Sequence, residues 1–341
     1  MKRSLALLAP LGALLLLAFG TARAQAPDAR MQRLAEAAKK EGTVMVYHSS
    51  QTTDLQPVFE AFTKKYGVKV TDWRSSSENV VQRTIRENAA GRHDVDFIEN
   101  NLPEMEALHR EKLLRGIDSP VYADITRGIV PSHHEYATST LDVFVLAYNT
   151  EKVKKDELPK AYKDLLDPRW KGRIGAEVDD QGWFGALTEQ LGGAAGVKLF
   201  REIAEKNGIN VRKGHTLLAN LVASGEIPLA LDVYSYKPPQ LKRKGETIDW
   251  FTMDPIIVQL HGVAVVKNAP HPNAAELLHD FFLGPEGQAL LAKKDFTPSN
   301  RKVPSEFDGK TLHPVNPSEA IDKDQEWLKL YQENVTRRSK S

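Results

Sequence analysis

Residues 43–73, TVMVYHSSQTTDLQPVFEAFTKKYGVKVTDW, hold one complete cycle of the pattern that decides the fold. Thr43 to Tyr47 are apolar or β-branched and read as a short buried strand. After a polar break, Leu55, Val58, Phe59, Phe62 and Tyr66 recur at the three- and four-residue spacing of one helix face, and Gly67 supplies its stop. A second strand follows at 68–73. Outward from this unit come a helix over about 79–90 ended by Gly91, a strand at 94–99 and a helix opened near Pro103. Such β–α alternation predicts an α/β fold whose parallel or mixed sheet is covered by helices.

The cycle resumes farther along. A strand at 142–148 is followed by a loop at 154–168, a strand at 173–177, helices near 182–191 and 195–207, a short strand, and a helix at 216–224. Strands at 227–233 and 262–267 precede helices at about 273–283 and 285–293. A last helix near 317–334 is amphipathic through Trp327, Leu328, Leu330 and Tyr331. No internal repeat or low-complexity segment interrupts the series.

Composition narrows the function classes. The 341 residues carry 46 Lys+Arg against 45 Asp+Glu, a net charge of +1, which lacks the basic excess of a large nucleic-acid footprint. With no cysteine, a disulfide framework, a thiolate zinc site, an iron–sulfur cluster, a cysteine nucleophile and a lipid-modified N-terminal Cys are all excluded. Residues 1–24 read as a secretory signal peptide: a basic start at Met1-Lys2-Arg3, an apolar run over 5–19 broken by Pro10 and Gly12, and the cleavage pattern Ala22-Arg23-Ala24. That run is shorter than the roughly 18 to 20 residues of a spanning helix. The reading implies a free periplasmic protein whose mature length fits two domains at about 100 to 200 residues each.

In open α/β sheets, ligands sit outside the carboxyl ends of the strands. That rule nominates the polar segments His48 to Thr52, Arg74 to Glu78, Glu99 to Asn101, Glu177 to Gln181, His215-Thr216 and Tyr234 to Tyr236. Signatures of catalysis are missing: there is no GxSxG elbow, GxxxxGK[ST] loop, HExxH helix or GxGxxG turn. The expectation is a binder and not an enzyme.

Several quoted stretches together resemble the periplasmic substrate-binding proteins of ABC importers, in the branch that holds ferric-binding proteins and receptors for small organic solutes. They are Val46-Tyr47 through Ala61-Phe62-Thr63, Ala147-Tyr148-Asn149-Thr150, Pro168-Arg169-Trp170-Lys171-Gly172-Arg173-Ile174-Gly175 and Gly284-Pro285-Glu286-Gly287-Gln288. The resemblance implies a two-lobed type II periplasmic binding protein fold, each lobe a central mixed sheet covered by helices, with the ligand cleft between lobes. It places lobe one at 40–141 plus 262–310 and lobe two at 142–261 plus 311–335. It implies an inner-membrane ABC permease as partner, and no cofactor. A monomer is expected, because lobe closure must stay free.

Ligand contacts are expected from Ser50, Gln51, Ser76, Glu78 and Asn100 in lobe one and from Asp180, His215, Tyr234 and Tyr236 in lobe two. Ferric-binding relatives grip iron with a His, a Glu and adjacent tyrosines, since Fe(III) prefers hard oxygen donors. Matched without gaps, those positions hold Gln51, Asn100 and Ser235-Tyr236 here, so one of four ligands survives in place. His48, Glu99 and Tyr234 stand one to three residues away, and a ferric reading would use His48, Glu99, Tyr234 and Tyr236. Asp180 at a helix start disfavours an anionic ligand group and favours a cation, an amine or a neutral polyol. The favoured reading is therefore a receptor for a small polar organic solute, with ferric iron as one alternative ligand and a periplasmic enzyme on the same scaffold as another.

Plainer roles compete at several of these positions. Asp179 or Asp180 is equally suited to capping the next helix, and Ser75 to Ser77 to forming a cap and turn. Tyr234 and Tyr236 alternate, so an extended chain would point both to one side. Trp183 suits a stacking role or the lobe-two core. His133-His134 reads as a solvated loop, the basic residues at 237 and 242–244 as a solvated helix face, and His261 as a candidate near the crossover.

Overall fold

The structure, a computed structural model, describes residues 25–337, so the signal reading at 1–24 lies outside the described residues. Twelve strands run in chain order as β1 (Thr43–His48), β2 (Lys69–Arg74), β3 (Phe97–Asn101), β4 (Leu114–Arg115), β5 (Ala137–Asn149), β6 (Ile174–Glu177), β7 (Asn210–Arg212), β8 (Leu229–Tyr234), β9 (Ile248–Phe251), β10 (Ile256–Val266), β11 (Thr297–Pro298) and β12 (Leu312–Pro314). The helices are α1 (Gln25–Glu41), α2 (Thr52–Tyr66), α3 (Ser77–Ala89), α4 (Leu102–Arg110), α5 (Gln181–Gln190), α6 (Ala194–Asn207), α7 (His215–Ala223), α8 (Lys237–Lys242), α9 (Pro272–Leu283), α10 (Pro285–Ala292), α11 (Pro317–Asp322) and α12 (Asp324–Tyr331).

The strands join in the order β2-β1-β3-β10-β5-β8-β6-β7, with β4 and β12 added to β10 and β9 and β11 added to β5. At one end β1 lies parallel to β2 and β3; at the other β6 lies parallel to β7 and β8. Between these units, the two long strands β5 and β10 run antiparallel. The first part of β5 pairs with β10, and from Phe144 onward it pairs with β8 and, from Leu146, with β9. These two strands carry the chain between the halves of a two-lobed, mixed α/β fold.

Each half has its own apolar core. One gathers Phe59, Phe62, Phe97, Phe281 and Phe282, the other Trp170, Phe184, Phe200, Trp327 and Tyr331. A fully buried side chain of this size contributes about 1.5–3 kcal/mol. Trp183 belongs to the second core at 2% exposure, which settles its role as packing. Gly185 faces the Trp327 ring, where an added Cβ would come within 2.3 Å, so the approach of α12 to α5 requires glycine there.

Both crossing strands start earlier than the sequence pattern indicates: β5 begins at Ala137 and β10 at Ile256. Thr138, Ser139 and Thr140 are polar yet buried, so apolarity does not mark the start of β5; β10 opens on the apolar run Ile256-Ile257-Val258, which the sequence reading passed over. The expected single C-terminal helix divides at Lys323, with α11 before it and α12 after. Helix α12 packs on α5, while α11 meets α4, where Arg110 Nη1 donates to Asp322 Oδ1 at 2.6 Å. The C-terminal segment therefore touches both halves.

Candidate functional site

The first part of the site grows from the ends of β1 and β3. His48 closes β1 fully buried, with Nδ1 3.0 Å from the Ser50 carbonyl and Nε2 3.0 Å from Asp72 Oδ2. Both ring nitrogens are engaged. Ser50 donates its hydroxyl to Glu99 Oε1 at 2.7 Å and its N–H to Oε2 at 3.3 Å. From β10, His261 brings Nδ1 to 2.9 Å from Glu99 Oε1, an ion-pair contact out of line for a hydrogen bond, and its Nε2 lies 3.1 Å from Ser49 Oγ. Burial opposes charge on Glu99, yet His261, His48 and Ser50 outweigh it and hold the carboxyl below its ordinary range. Burial likewise opposes charge on His261, but Glu99 and Asp142 raise the imidazole to about 9.

The second part is built at the ends of β6 and β8. Glu177 accepts from Gly214 N–H at 2.7 Å and from the Asp179 N–H, fixing the loop between β6 and α5. Asp180 stands at the N-cap of α5 without any side-chain capping bond. Its carboxylate instead faces His215, with Nε2 3.3 Å from Oδ1, while His215 Nδ1 donates to the Asp232 carbonyl at 3.0 Å. Burial works against charge on His215, but Asp180, Asp232 and Glu177 lift it to about 9. Burial and the Asp180 charge push Asp232 well up; its carboxyl accepts the Glu177 N–H at 2.9 Å.

Between the two parts lies an aromatic floor. His215 packs on Tyr234 at 3.9 Å, Tyr234 on Phe144 at 5.1 Å and on Tyr236 at 5.8 Å, and Tyr236 stacks on Phe296 at 4.4 Å. Tyr236 reaches this position from a helical backbone at the start of α8, not from an extended one. Strand alternation puts Thr140, Asp142 and Phe144 on one face of β5, so Asp142 joins this floor. Burial raises Asp142 to about 6, with His261 and His215 opposing and Glu99 assisting. Four buried oxygens here have no hydrogen-bond partner: Asp142 Oδ1, Asp180 Oδ2, Gln181 Oε1 and Ser235 Oγ. Bare buried oxygens are costly unless a ligand or water meets them.

The structure thus brings together Ser50, Asp180, His215, Tyr234 and Tyr236, with Glu99 beside them. Gln51 is at the N-cap of α2, partly buried. Asn100 is buried, and its amide donates to the Ser77 carbonyl at 3.0 Å. Ser76 and Glu78 are exposed at the start of α3, where Ser76 caps the helix by accepting from Asn79 N–H at 3.4 Å. Gln181 and Ser235 lie in segments that the sequence nominated, but Asp142 was overlooked; a carboxylate in a strand otherwise rich in apolar residues was the available signal for it. Lys237 departs from a solvated face: it is 8% exposed, with Nζ 3.6 Å from Asp54 Oδ2. His133 and His134 lie in a loop and are half-buried, with His133 stacked on His109 at 3.8 Å. Ligand atoms of Glu106, His109 and His133 fall within 4.8 Å of one another. Each of the two rings already has a partner, His109 Nδ1 at 2.6 Å from Glu135 Oε2 and His133 Nδ1 accepting the Glu135 N–H at 3.1 Å.

A two-lobed α/β fold with a polar and aromatic site where the lobes meet defines a solute-binding protein. Residues 103–324 match the family described as bacterial extracellular solute-binding proteins, and the chain belongs to that family, whose members serve as substrate-binding components of ABC importers. It is similar to the Fe(3+)-binding periplasmic protein of Serratia marcescens, 26% identical over 267 residues that cover 75% of this chain and 78% of the relative. It is also similar in structure to iron-bound HitA from Pseudomonas aeruginosa, with a TM-score of 0.73 at 20% identity over 85% of this chain and 98% of the other. AfuA from Actinobacillus pleuropneumoniae, solved with fructose-6-phosphate, gives a TM-score of 0.73 at 20% identity over 87% of this chain and 99% of the other. The likeness establishes the type II periplasmic binding protein fold. Among the described residues no helix is long and apolar enough to cross a membrane.

Proposed function

We propose that this protein is a periplasmic receptor that captures a small amine-bearing organic solute between lobes at 40–141 plus 262–310 and 142–261 plus 311–335. The closed form then delivers the solute to an inner-membrane ABC permease, and the receptor works as a monomer. The observation that carries the solute class is the pair of buried, unpartnered carboxylate oxygens, Asp142 Oδ1 and Asp180 Oδ2, beside the ring of Tyr234. An ammonium group satisfies both needs, since it donates to carboxylates and is attracted to an aromatic face. A neutral polyol would meet the oxygens but leave the negative charge uncompensated. Closure follows from population shift, because a ligand held by both lobes favours the state in which they meet.

A second reading is ferric iron. Carboxylates and two phenols are hard donors suited to Fe(III), and the Serratia relative is named for that ion. His48 has both nitrogens occupied, so the oxygens of Glu99, Asp142, Asp180, Tyr234 and Tyr236 would form such a site. Native mass spectrometry of the purified protein with elemental analysis separates the two readings. A released organic amine supports the first; one iron per chain, with a phenolate-to-iron absorption band, overturns it in favour of the second.

A further inference from the structure

The charges around the site are unevenly matched. Glu99 is met by His261 at 2.9 Å, and Asp180 shares Oδ1 with His215 at 3.3 Å. Asp142 has no such partner: it is 3% exposed with Oδ1 bare, and the nearest lysine acting on it, Lys237, is committed to Asp54 at 3.6 Å. Asp180 keeps a second buried oxygen, Oδ2, that nothing meets. These two bare oxygens come from different elements, the middle of β5 and the start of α5. Tyr234 neighbours both: its ring packs at 3.9 Å on His215, which holds Asp180, and it pairs across the strands with Phe144, two residues beyond Asp142. Its ring, packed on Phe144 at 5.1 Å, provides an apolar surface beside the two carboxylates.

Resting on the amine reading, we infer that the site takes a dication, an α,ω-diamine, with one ammonium on Asp142, the other on Asp180, and the connecting methylenes over Tyr234 and Phe144. A ligand with one ammonium would satisfy one carboxylate and leave the other buried and bare, which weakens binding. A diamine satisfies both and lays its apolar stem on apolar rings.

Calorimetric titration of the purified protein with 1,3-diaminopropane, 1,4-diaminobutane, 1,5-diaminopentane, n-butylamine and ferric citrate tests this. The expected result is that at least one diamine binds at least tenfold more tightly than n-butylamine, and that Asp142→Asn and Asp180→Asn each bring that diamine down to the n-butylamine level. Equal affinity for the best diamine and n-butylamine overturns the dication while leaving the amine reading intact. No heat with any of the four amines overturns both, and binding of ferric citrate in that case supports the iron reading. The diamine-to-monoamine ratio is read on the unaltered protein, so it stands even if a variant misfolds; circular dichroism checks the two variants.

Discussion

His215 holds Asp180 by one nitrogen, Nε2 to Oδ1 at 3.3 Å, and the Asp232 carbonyl by the other, Nδ1 to O at 3.0 Å. With an acceptor at each nitrogen, the ring carries both protons and is held in one orientation as an imidazolium. This leaves the other Asp180 oxygen, Oδ2, buried and without a hydrogen-bond partner.

The pair sets a pH dependence. His215 titrates at about 9 in the folded protein against about 6.5 unfolded. The folded state therefore binds this proton more tightly, so the stabilisation is complete below about 6.5 and is lost as pH rises through about 9. Thermal midpoints of the unaltered protein and Asp180→Asn should differ most at pH 6 and converge towards pH 10. A constant difference across that range would show that His215 is not protonated by this partner. An NMR titration of His215 reads the same group directly.

Asn149, at the end of β5, is 2% exposed. Its Nδ2 donates to the carbonyls of Val222 at 2.9 Å and Ala223 at 3.0 Å, and its Oδ1 accepts from the N–H groups of Glu151 and Lys152. Asn149→Ala removes these four hydrogen bonds at once, each with a net worth of roughly 0.5–1.5 kcal/mol. Denaturant unfolding should show a loss of about 2–4 kcal/mol, whereas a loss below 1 kcal/mol would mean that water replaces the side chain without cost.

Gly185→Ala should displace Trp327, because the new methyl would lie 2.3 Å from the ring. Overpacking of this kind costs about 1–3 kcal/mol. The tryptophan emission should shift to the red as α12 lifts from α5; unchanged emission and stability would place that contact elsewhere.

Helix α8 docks on residues 294–296. Arg243 makes a bidentate ion pair with Asp295, one arm at 2.8 Å, Gln240 donates to the Lys294 carbonyl at 2.9 Å, and Tyr236 stacks on Phe296 at 4.4 Å. Under the proposed lobes, these contacts join lobe two to lobe one and favour closure. Arg243→Ala combined with Phe296→Ala should raise the radius of gyration of the unliganded protein by small-angle scattering and weaken ligand affinity about tenfold. An unchanged radius with unchanged affinity would remove α8 from the closing interface.

Much of the fold was legible in the chain because local physics wrote it there. The strand at Thr43 to Tyr47, the helical stripe from Leu55 to Tyr66 and its stop at Gly67 reappear as β1, α2 and a left-handed cap at φ 70°. The polar start of β5 was hidden, since burial of Thr138, Ser139 and Thr140 depends on partners far away in sequence. The break at Lys323 was equally hidden, because the division of the C-terminal segment follows from α11 finding α4 and α12 finding α5.

For the site, sequence alone determined the strand-end loops, and so Ser50, Asp180, His215, Tyr234 and Tyr236 were within reach of local reasoning. Only the tertiary structure decided that Asp142 lies among them, that Asp180 meets His215 instead of capping α5, and that Lys237 is buried against Asp54. The reason is physical: periodicity reports which residues face inward, whereas the pairing of buried charges depends on how strands and helices distant in sequence are brought together.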